Sequence, residues 1–495
     1  MKKKLLITLF AIIATLTCAL GLSACADGNT SGGKKRSTDG LKYTLNDDGT
    51  RYTVTGIGTA TDTNIVIPSV YNEKPVTSIG SGAFVGCSSF TDIIIPYSVT
   101  SIGGSAFEDC SNLTSVTIGN GVTSIGECAF WNCSSLTSVT FGIGVTFIDR
   151  DAFFGCSSLT SIYYTGNIAG WCGISGLGNL MSPKRTLYIN GSKLSGKLVI
   201  PDGVTSIGDA AFFGCTSLTS VVTIPNTVTS IGSGAFGGCT SLTSITIPHS
   251  VTSIGQSAFY GCSSLTSINI PNSMTSIDDD AFSGCSSLTS ITVPNSVTSI
   301  GWSAFYGCSS LTHITIPHSV TSIGSGAFGG CSSLTNITIP DSVIFIGYLA
   351  FDGCSSLTSI NIPNSVKVIS ESAFSGCSKL TSVTIPDSVT YINSGAFSGC
   401  SSLTSITIPD SVASIGRDAF KGCETLISIT IPESVTSIGD ETFRGCSLLT
   451  SITFKGTTDE WKAISKGTDW NYNTGDYTVY CTDGTIAKDG TVTKN

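Results

Sequence analysis

The amino-acid sequence predicts a β-rich repeat solenoid, in which short strands and tight turns form parallel coils that stack on one another. A stretch of 23 residues recurs along most of the 495-residue chain, and a cysteine stands at the same place each time, as at Cys239, Cys262 and Cys285. The apolar positions within a repeat fit no helical period. One repeat alone cannot bury its apolar face, so neighbouring repeats must stack and share a core.

Each repeat contains two extended pieces and one turn. In LTSITIP, residues 242–248, the two isoleucines point to one side, and the proline ends the strand because it has no N–H for the ladder. VTSIG, residues 251–255, is a second extended piece closed by glycine. SAFYGC, residues 257–262, is a tight turn or a single helical turn that places its alanine, phenylalanine and cysteine in the core.

Stacking also places the recurring cysteines in one column. Equivalent atoms of successive coils lie about 4.8 Å apart. We interpret the column as buried free thiols, because a small apolar thiol suits a stack of identical inward side chains and a disulfide would disturb that packing. Cys128, Cys172 and Cys481 fall outside the column, and the sequence leaves their redox state open.

The N-terminal 40 residues indicate export and a tether. Lys2–Lys4 precede an apolar run that ends in LSAC, residues 22–25, and this ending resembles the bacterial lipobox. The resemblance implies that residues 1–24 are a lipoprotein signal peptide and that Cys25 is the lipid-attachment residue. An ordinary secreted protein cut nearby is the alternative. Residues 25–40 lack apolar content and are predicted to form a flexible tether.

The rest of the chain divides into an irregular N-terminal repeat, a first repeat block, an insert, a second repeat block and a C-terminal cap. In that order, the predicted segments are residues 41–79, 80–162, 163–198, 199–453 and 454–495. The insert and the cap are copies of one module, each with a tryptophan, Trp171 or Trp461, on a short predicted helix. We expect the insert to bulge from one face, either as a capping relic or as a ligand site.

Residue types and spacing argue against catalysis, metal binding and nucleic-acid binding. His249 and His318 are three repeats apart, about 14 Å, too far to share a proton or a metal ion. Asp278–Asp280 is predicted to be a solvated turn, with weak calcium binding as the alternative. The formal charge of −9, with little clustering of Lys and Arg, disfavours polyanions. We predict a protein that is not an enzyme and uses no metal, cofactor or nucleic acid.

The repeat resembles a known family. LTSITI, residues 242–247, matches LxxLxL, the leading half of a leucine-rich repeat, and LTSITIPHSVTSIGQSAFYGC is similar to the BspA-like class of bacterial leucine-rich repeats. The similarity covers roughly residues 65–454. It departs from standard leucine-rich repeats at Ser250, where an Asn would follow the strand. The resemblance implies a surface adhesin that binds fibronectin or fibrinogen and promotes attachment.

We therefore predict a monomeric, lipid-anchored bacterial surface protein that adheres to host matrix proteins or to other cells. The outward-facing Thr243 and Thr246 belong to hydroxyl ladders that suit an extended protein partner. Exposed aromatic residues such as Trp302 and Tyr306 suit a first alternative, a lipoprotein that captures glycans or nutrients. A structural envelope spacer is the second alternative. Contact with a membrane is expected through the lipid anchor only.

Overall fold

The computed structural model describes residues 37–495 and confirms the predicted solenoid of parallel β-coils. Two compact units divide the chain. Unit 1 contains the described residues up to Gly196 together with Ile200–Cys215, and unit 2 contains Lys197–Val199 and Thr216–Asn495. The predicted signal peptide, Cys25 and most of the predicted tether lie outside the described residues. Within residues 37–495, no helix is long and apolar enough to cross a membrane.

Unit 1 has two rows of strands, and most coils contribute one strand to each row. The first row consists of Asn64–Val66, Asp92–Ile95, Ser115–Ile118, Ser138–Phe141, Ser161–Tyr164, Thr186–Ile189 and Ser192–Lys193. The second row consists of Lys42–Leu45, Tyr52–Gly56, Lys74–Ile79, Ser101–Ile102, Ser124–Ile125 and Phe147–Ile148, with Val70–Tyr71 paired to Lys74–Ile79. Equivalent repeat positions pair in parallel register, so Val139 lies between Val116 and Ile162.

Unit 2 repeats this arrangement. Its first row consists of Leu218–Thr223, Ser244–Ile245, Ser267–Ile268, Ser290–Thr292, His313–Thr315, Ser359–Asn361, Ser382–Thr384, Ser405–Thr407, Ser428–Ile431, Ser451–Phe454, Thr478–Cys481, Gly484–Ala487 and Val492–Lys494. Its second row consists of Ser230–Ile231, Ser253–Ile254, Ser276–Ile277, Ser299–Ile300, Ser322–Ile323, Phe345–Ile346, Val368–Ile369, Tyr391–Ile392, Ser414–Ile415, Ser437–Ile438 and Ser465–Lys466. The strands Gly196–Val199 and Ser206–Ile207 stand where the sequence passes between the units.

Two short helices begin the tryptophan modules. Helix α1 spans Ile168–Cys172 and helix α2 spans Thr458–Ala463, where the sequence predicts short helices. Trp171 and Trp461, one on each helix, are both buried. The expected bulge at the insert is wrong. The insert supplies its own alternating strand, Thr186–Ile189, which pairs in parallel with Ser161–Tyr164 and so continues the first row. Because the modules add strands in this way, the coils outnumber the repeats that carry a cysteine.

The core consists of columns of identical side chains. In unit 2 the ring of Phe328 is fully buried between Phe305 and Phe351, with ring centroids 5.5 and 5.4 Å away. Beside it the Cys331 thiol donates a hydrogen bond to the Phe305 carbonyl, with Sγ and O 3.3 Å apart. The cysteines of the column are free thiols and nearly all are buried, which confirms that interpretation. Burial raises the pKa of the Cys308 thiol to about 12, so this thiol is protonated at neutral pH.

The third side of each coil is a turn rather than a helix. Its backbone forms a ladder between coils, since the N–H of Phe328 donates to the carbonyl of Ala350 over 2.8 Å. Serine stands at the corner after the first strand, and in several coils its hydroxyl bonds to the preceding coil. The Ser250 hydroxyl donates to the Val228 carbonyl of the preceding coil at 2.7 Å, and later coils repeat this bond.

Candidate functional site

The predicted hydroxyl ladders are present and join the coils to one another. Thr243 and Thr246 are both exposed on the first row of unit 2. The Thr243 hydroxyl donates to the Thr219 carbonyl at 2.9 Å, and the Thr266 hydroxyl donates to the Thr243 carbonyl at 3.3 Å. Because these hydroxyl hydrogens are used between coils, the ladder of Thr243 and its equivalents offers a ligand acceptor oxygens and methyl groups rather than free donors.

Trp302 and Tyr306 lie on the turn side of unit 2, away from the threonine ladder of the first row. Trp302 is 66% exposed and Tyr306 is 51% exposed. The backbone N–H of Trp302 donates to Oδ1 of Asp279 at 2.6 Å, which ties this turn to the acidic turn before it. The structure therefore does not bring the four predicted surface residues together. It separates them into two sides of the same solenoid.

The sequence interpretation missed four exposed apolar residues in one nearby coil. Ile344, Phe345, Tyr348 and Leu349 are 65%, 47%, 56% and 46% exposed. The signal was a departure from the outward residues of the repeat, because IFIGYLAF at residues 344–351 replaces TSIGSGAF at residues 321–328. We call Trp302, Tyr306 and these four residues the apolar patch. The two groups lie two coils apart on unit 2, and clustered exposed apolar side chains mark interaction sites more often than single ones do.

Small residues separate the two halves of the apolar patch. The coil between them carries Ser325, Gly326 and Gly329 on the turn side. A Cβ atom at Gly329 would lie 2.8 Å from Cδ2 of Tyr306, so one edge of the Tyr306 ring rests where only glycine leaves room. Two coil spacings, about 10 Å, separate Trp302 from Tyr348. The patch thus has two apolar halves, and the Tyr306 ring extends over part of the small-residue coil between them.

Acidic residues surround the apolar patch. The side chain of Asp278 accepts a hydrogen bond from the Ser276 hydroxyl at 2.9 Å. The pKa of Asp280 is raised by partial burial and by the neighbouring Asp279 carboxylate. Across residues 37–495, no group of three or more His, Cys, Asp or Glu side chains could hold a metal ion. Asp278, Asp279 and Asp280 are half-exposed and form an acidic turn.

Comparison with known proteins identifies the repeat. The model of the BspA type leucine-rich repeat region, with six copies of the repeat, matches residues 59–171, 188–312, 298–424 and 367–466. The chain belongs to the BspA-type leucine-rich repeat family. The resemblance inferred from the repeat is thereby confirmed. Leucine-rich repeats of this kind are generally non-catalytic. No curated protein matches the chain.

Two solved structures similar to this BspA-type chain come from bacteria. A leucine-rich repeat protein from Bacteroides ovatus ATCC 8483 is 28% identical, with 90% of this chain and 100% of that chain covered and a TM-score of 0.52. A leucine rich cell surface protein from Faecalibacterium prausnitzii A2-165 is 29% identical, with 88% and 99% covered and a TM-score of 0.40. The first of these agrees with the coil architecture described above.

Proposed function

We propose that this BspA-type protein is a lipid-anchored bacterial surface protein that binds host matrix proteins or other cells without catalysis. The observation that carries the proposal is the apolar patch, an exposed apolar surface on a solenoid whose outward positions are otherwise mostly Ser, Thr and Gly. Exposure of such side chains to water is unfavourable, and a partner that covers them removes the unfavourable contact.

Export and anchoring are supported by the N-terminal sequence. The basic and apolar residues before LSAC, with Cys25 at the lipobox position, are those of a lipoprotein signal. The similarity to a chain described as a cell surface protein agrees with this location. Several acyl chains on Cys25 would anchor the protein stably, because each buried CH₂ contributes about 0.8 kcal/mol and a single chain is marginal.

The test is binding of residues 26–495 to immobilised fibronectin, fibrinogen, mucin and purified glycans at physiological salt. Two deletions of three whole repeats keep the register of the coils. Deletion of residues 293–361 removes the apolar patch, whereas deletion of residues 362–430 leaves it intact and serves as the control. Saturable binding to a matrix protein that the first deletion alone abolishes supports adhesion. If no protein of the panel binds, the proposal that matrix proteins are the partners is wrong.

Glycan capture is the second candidate function, and the high exposure of Trp302 and Tyr306 favours it. Aromatic rings stack on the apolar faces of sugars, and a ring that lies against glycine presents its other side to solvent. Saturable binding to a glycan that is lost in the variant W302A/Y306A, with no binding to matrix proteins, supports this candidate. If neither class of ligand binds, the remaining alternative is a spacer of the cell envelope.

A further inference from the structure

We propose that the apolar patch is the docking site for a basic amphipathic protein segment, in which apolar anchor residues are flanked by Lys or Arg. The proposal rests on the proposed adhesion function and adds the contact surface and the chemistry of the partner. It is carried by three features of unit 2: the composition of the patch, the backbone conformation of Leu349 and the carboxylates around the patch.

The composition of the patch favours a protein rather than a sugar chain. Ile344 and Leu349 are aliphatic, so they offer no ring on which a sugar could stack, but they can pack against apolar side chains. The aromatic residues beside them, Phe345 and Tyr348, are of the kind found at the energetic centres of protein interfaces. The small residues Ser325 and Gly326 leave the Tyr306 ring and the side chains of the Tyr348 coil open to a partner that lies across both halves of the patch.

The backbone at Leu349 indicates that this exposed leucine is retained against a local cost. Leu349 has a φ of 55°, in the left-handed region that disfavours a branched side chain. The equivalent positions of neighbouring coils are Gly326, with a φ of 64°, Ser303 and Ser372. These equivalent residues share the left-handed conformation, so it belongs to the turn of the repeat, and Leu349 places a large apolar side chain, 46% exposed, where the adjacent coils have Gly or Ser. A large exposed apolar side chain at this turn is available to a partner.

Acidic residues beside both halves of the patch favour a cationic partner. The Asp279 carboxylate accepts a hydrogen bond from the Trp302 N–H, and the exposed Glu371 belongs to the coil next to Leu349, whose N–H donates to the Glu371 backbone carbonyl at 3.0 Å. Asp352 follows Leu349 in the same turn. In residues 37–495, none of the ion pairs involves these three carboxylates. The exposed Lys367 is a neighbouring cation, so the surroundings are mixed but predominantly acidic. A cationic segment complements them.

The experiment uses residues 26–495 and three synthetic peptides: one of Leu and Lys at amphipathic helical spacing, one of Leu and Glu, and one of Ser and Lys. The patch variant I344T/F345S/Y348S/L349G restores the residues of the preceding coil, so the solenoid is expected to remain folded. The control variant I427T/L448S removes two exposed apolar side chains from another part of unit 2. Thermal unfolding of each variant verifies the fold, and calorimetry measures the dissociation constants.

We expect the Leu–Lys peptide to bind the unmodified protein and the control variant equally. In the patch variant its dissociation constant rises about tenfold or more, as for loss of an interface hot spot. The Leu–Glu and Ser–Lys peptides bind far more weakly, and high salt weakens Leu–Lys binding. Equal binding of the Leu–Lys peptide to the patch variant overturns the proposal, as does patch-dependent binding of a neutral polysaccharide without peptide binding.

Failure of this inference is distinguishable from failure of the adhesion proposal. If a matrix protein binds the patch variant and the unmodified protein equally, adhesion stands and the docking site is wrong. If the Leu–Lys peptide requires the patch while no matrix protein binds, the docking site stands and the proposed partners are wrong.

Discussion

Replacement of Phe328 by alanine tests whether the coils are held together by their central column. The ring has no exposed surface and stacks between two identical rings whose centroids are 5.5 and 5.4 Å away. Truncation of a buried phenylalanine to alanine costs about 3–5 kcal/mol, because transfer energy is lost and a cavity remains. The two neighbouring columns of Ala and Cys cannot close that cavity, since their positions are fixed by backbone ladders. We therefore expect the upper part of this range.

The suitable assay is local, because a long solenoid need not unfold in one cooperative step. Alkylation of Cys331 under native conditions, followed by mass spectrometry, reports opening of the coil that contains Phe328. A loss of about 4 kcal/mol raises the open population, and hence the alkylation rate, by about three orders of magnitude. Cys423, four coils further along unit 2, serves as the internal control. A rise of less than about fivefold at Cys331, corresponding to roughly 1 kcal/mol, refutes the role of the phenylalanine column.

Three further predictions follow from the sequence and the structure. The variant C25S should leave the membrane fraction and appear in the medium; continued membrane retention contradicts the lipid anchor. Unfolding free energy should fall as pH rises from about 9 towards about 12, because burial raises the folded pKa of Cys262 and Cys308 to about 12, and the unfolded thiols ionise near 9. One pH unit above 9 the expected loss of unfolding free energy is about 1.4 kcal/mol per buried thiol. If the denaturant midpoint of C262A/C308A falls with pH as much as that of the unmodified protein, ionisation of these thiols is not the cause. The variant L349G should raise unfolding free energy by up to about 1 kcal/mol through relief of the left-handed backbone, and a lower stability would show that Leu349 packs in the fold.

The coil architecture could be predicted because each repeat carries the same local signals. Alternating isoleucines, a proline that ends the strand and a buried Ala-Phe pair recur in register, so one interpretation applies many times. The column followed from the stacking of the repeats, and its free thiols followed from the packing that a disulfide would disturb. The insert was predicted less well, since its strand TLYI at residues 186–189 lies far from the repeat spacing and was recognised only by its parallel pairing.

The candidate site was predicted only in part. Trp302 and Tyr306 are conspicuous because aromatic residues are uncommon at outward positions of this chain. Ile344, Phe345 and Leu349 were missed because apolar residues in a repeat suggest a core, and only the register of the coil shows that these three face outward. Thr243 was predicted to face solvent, but the bond of its hydroxyl to the preceding coil depends on a distance that no single sequence contains.

The measurement that tests the account most directly is attachment of cells that produce this protein to surfaces coated with matrix proteins. A strain that lacks the protein is compared with its parent, and soluble residues 26–495 are added as a competitor. We predict that the deletion strain loses attachment to at least one coated surface and that the soluble protein inhibits the parent strain there. Equal attachment of both strains to every coated surface would contradict a role in adhesion.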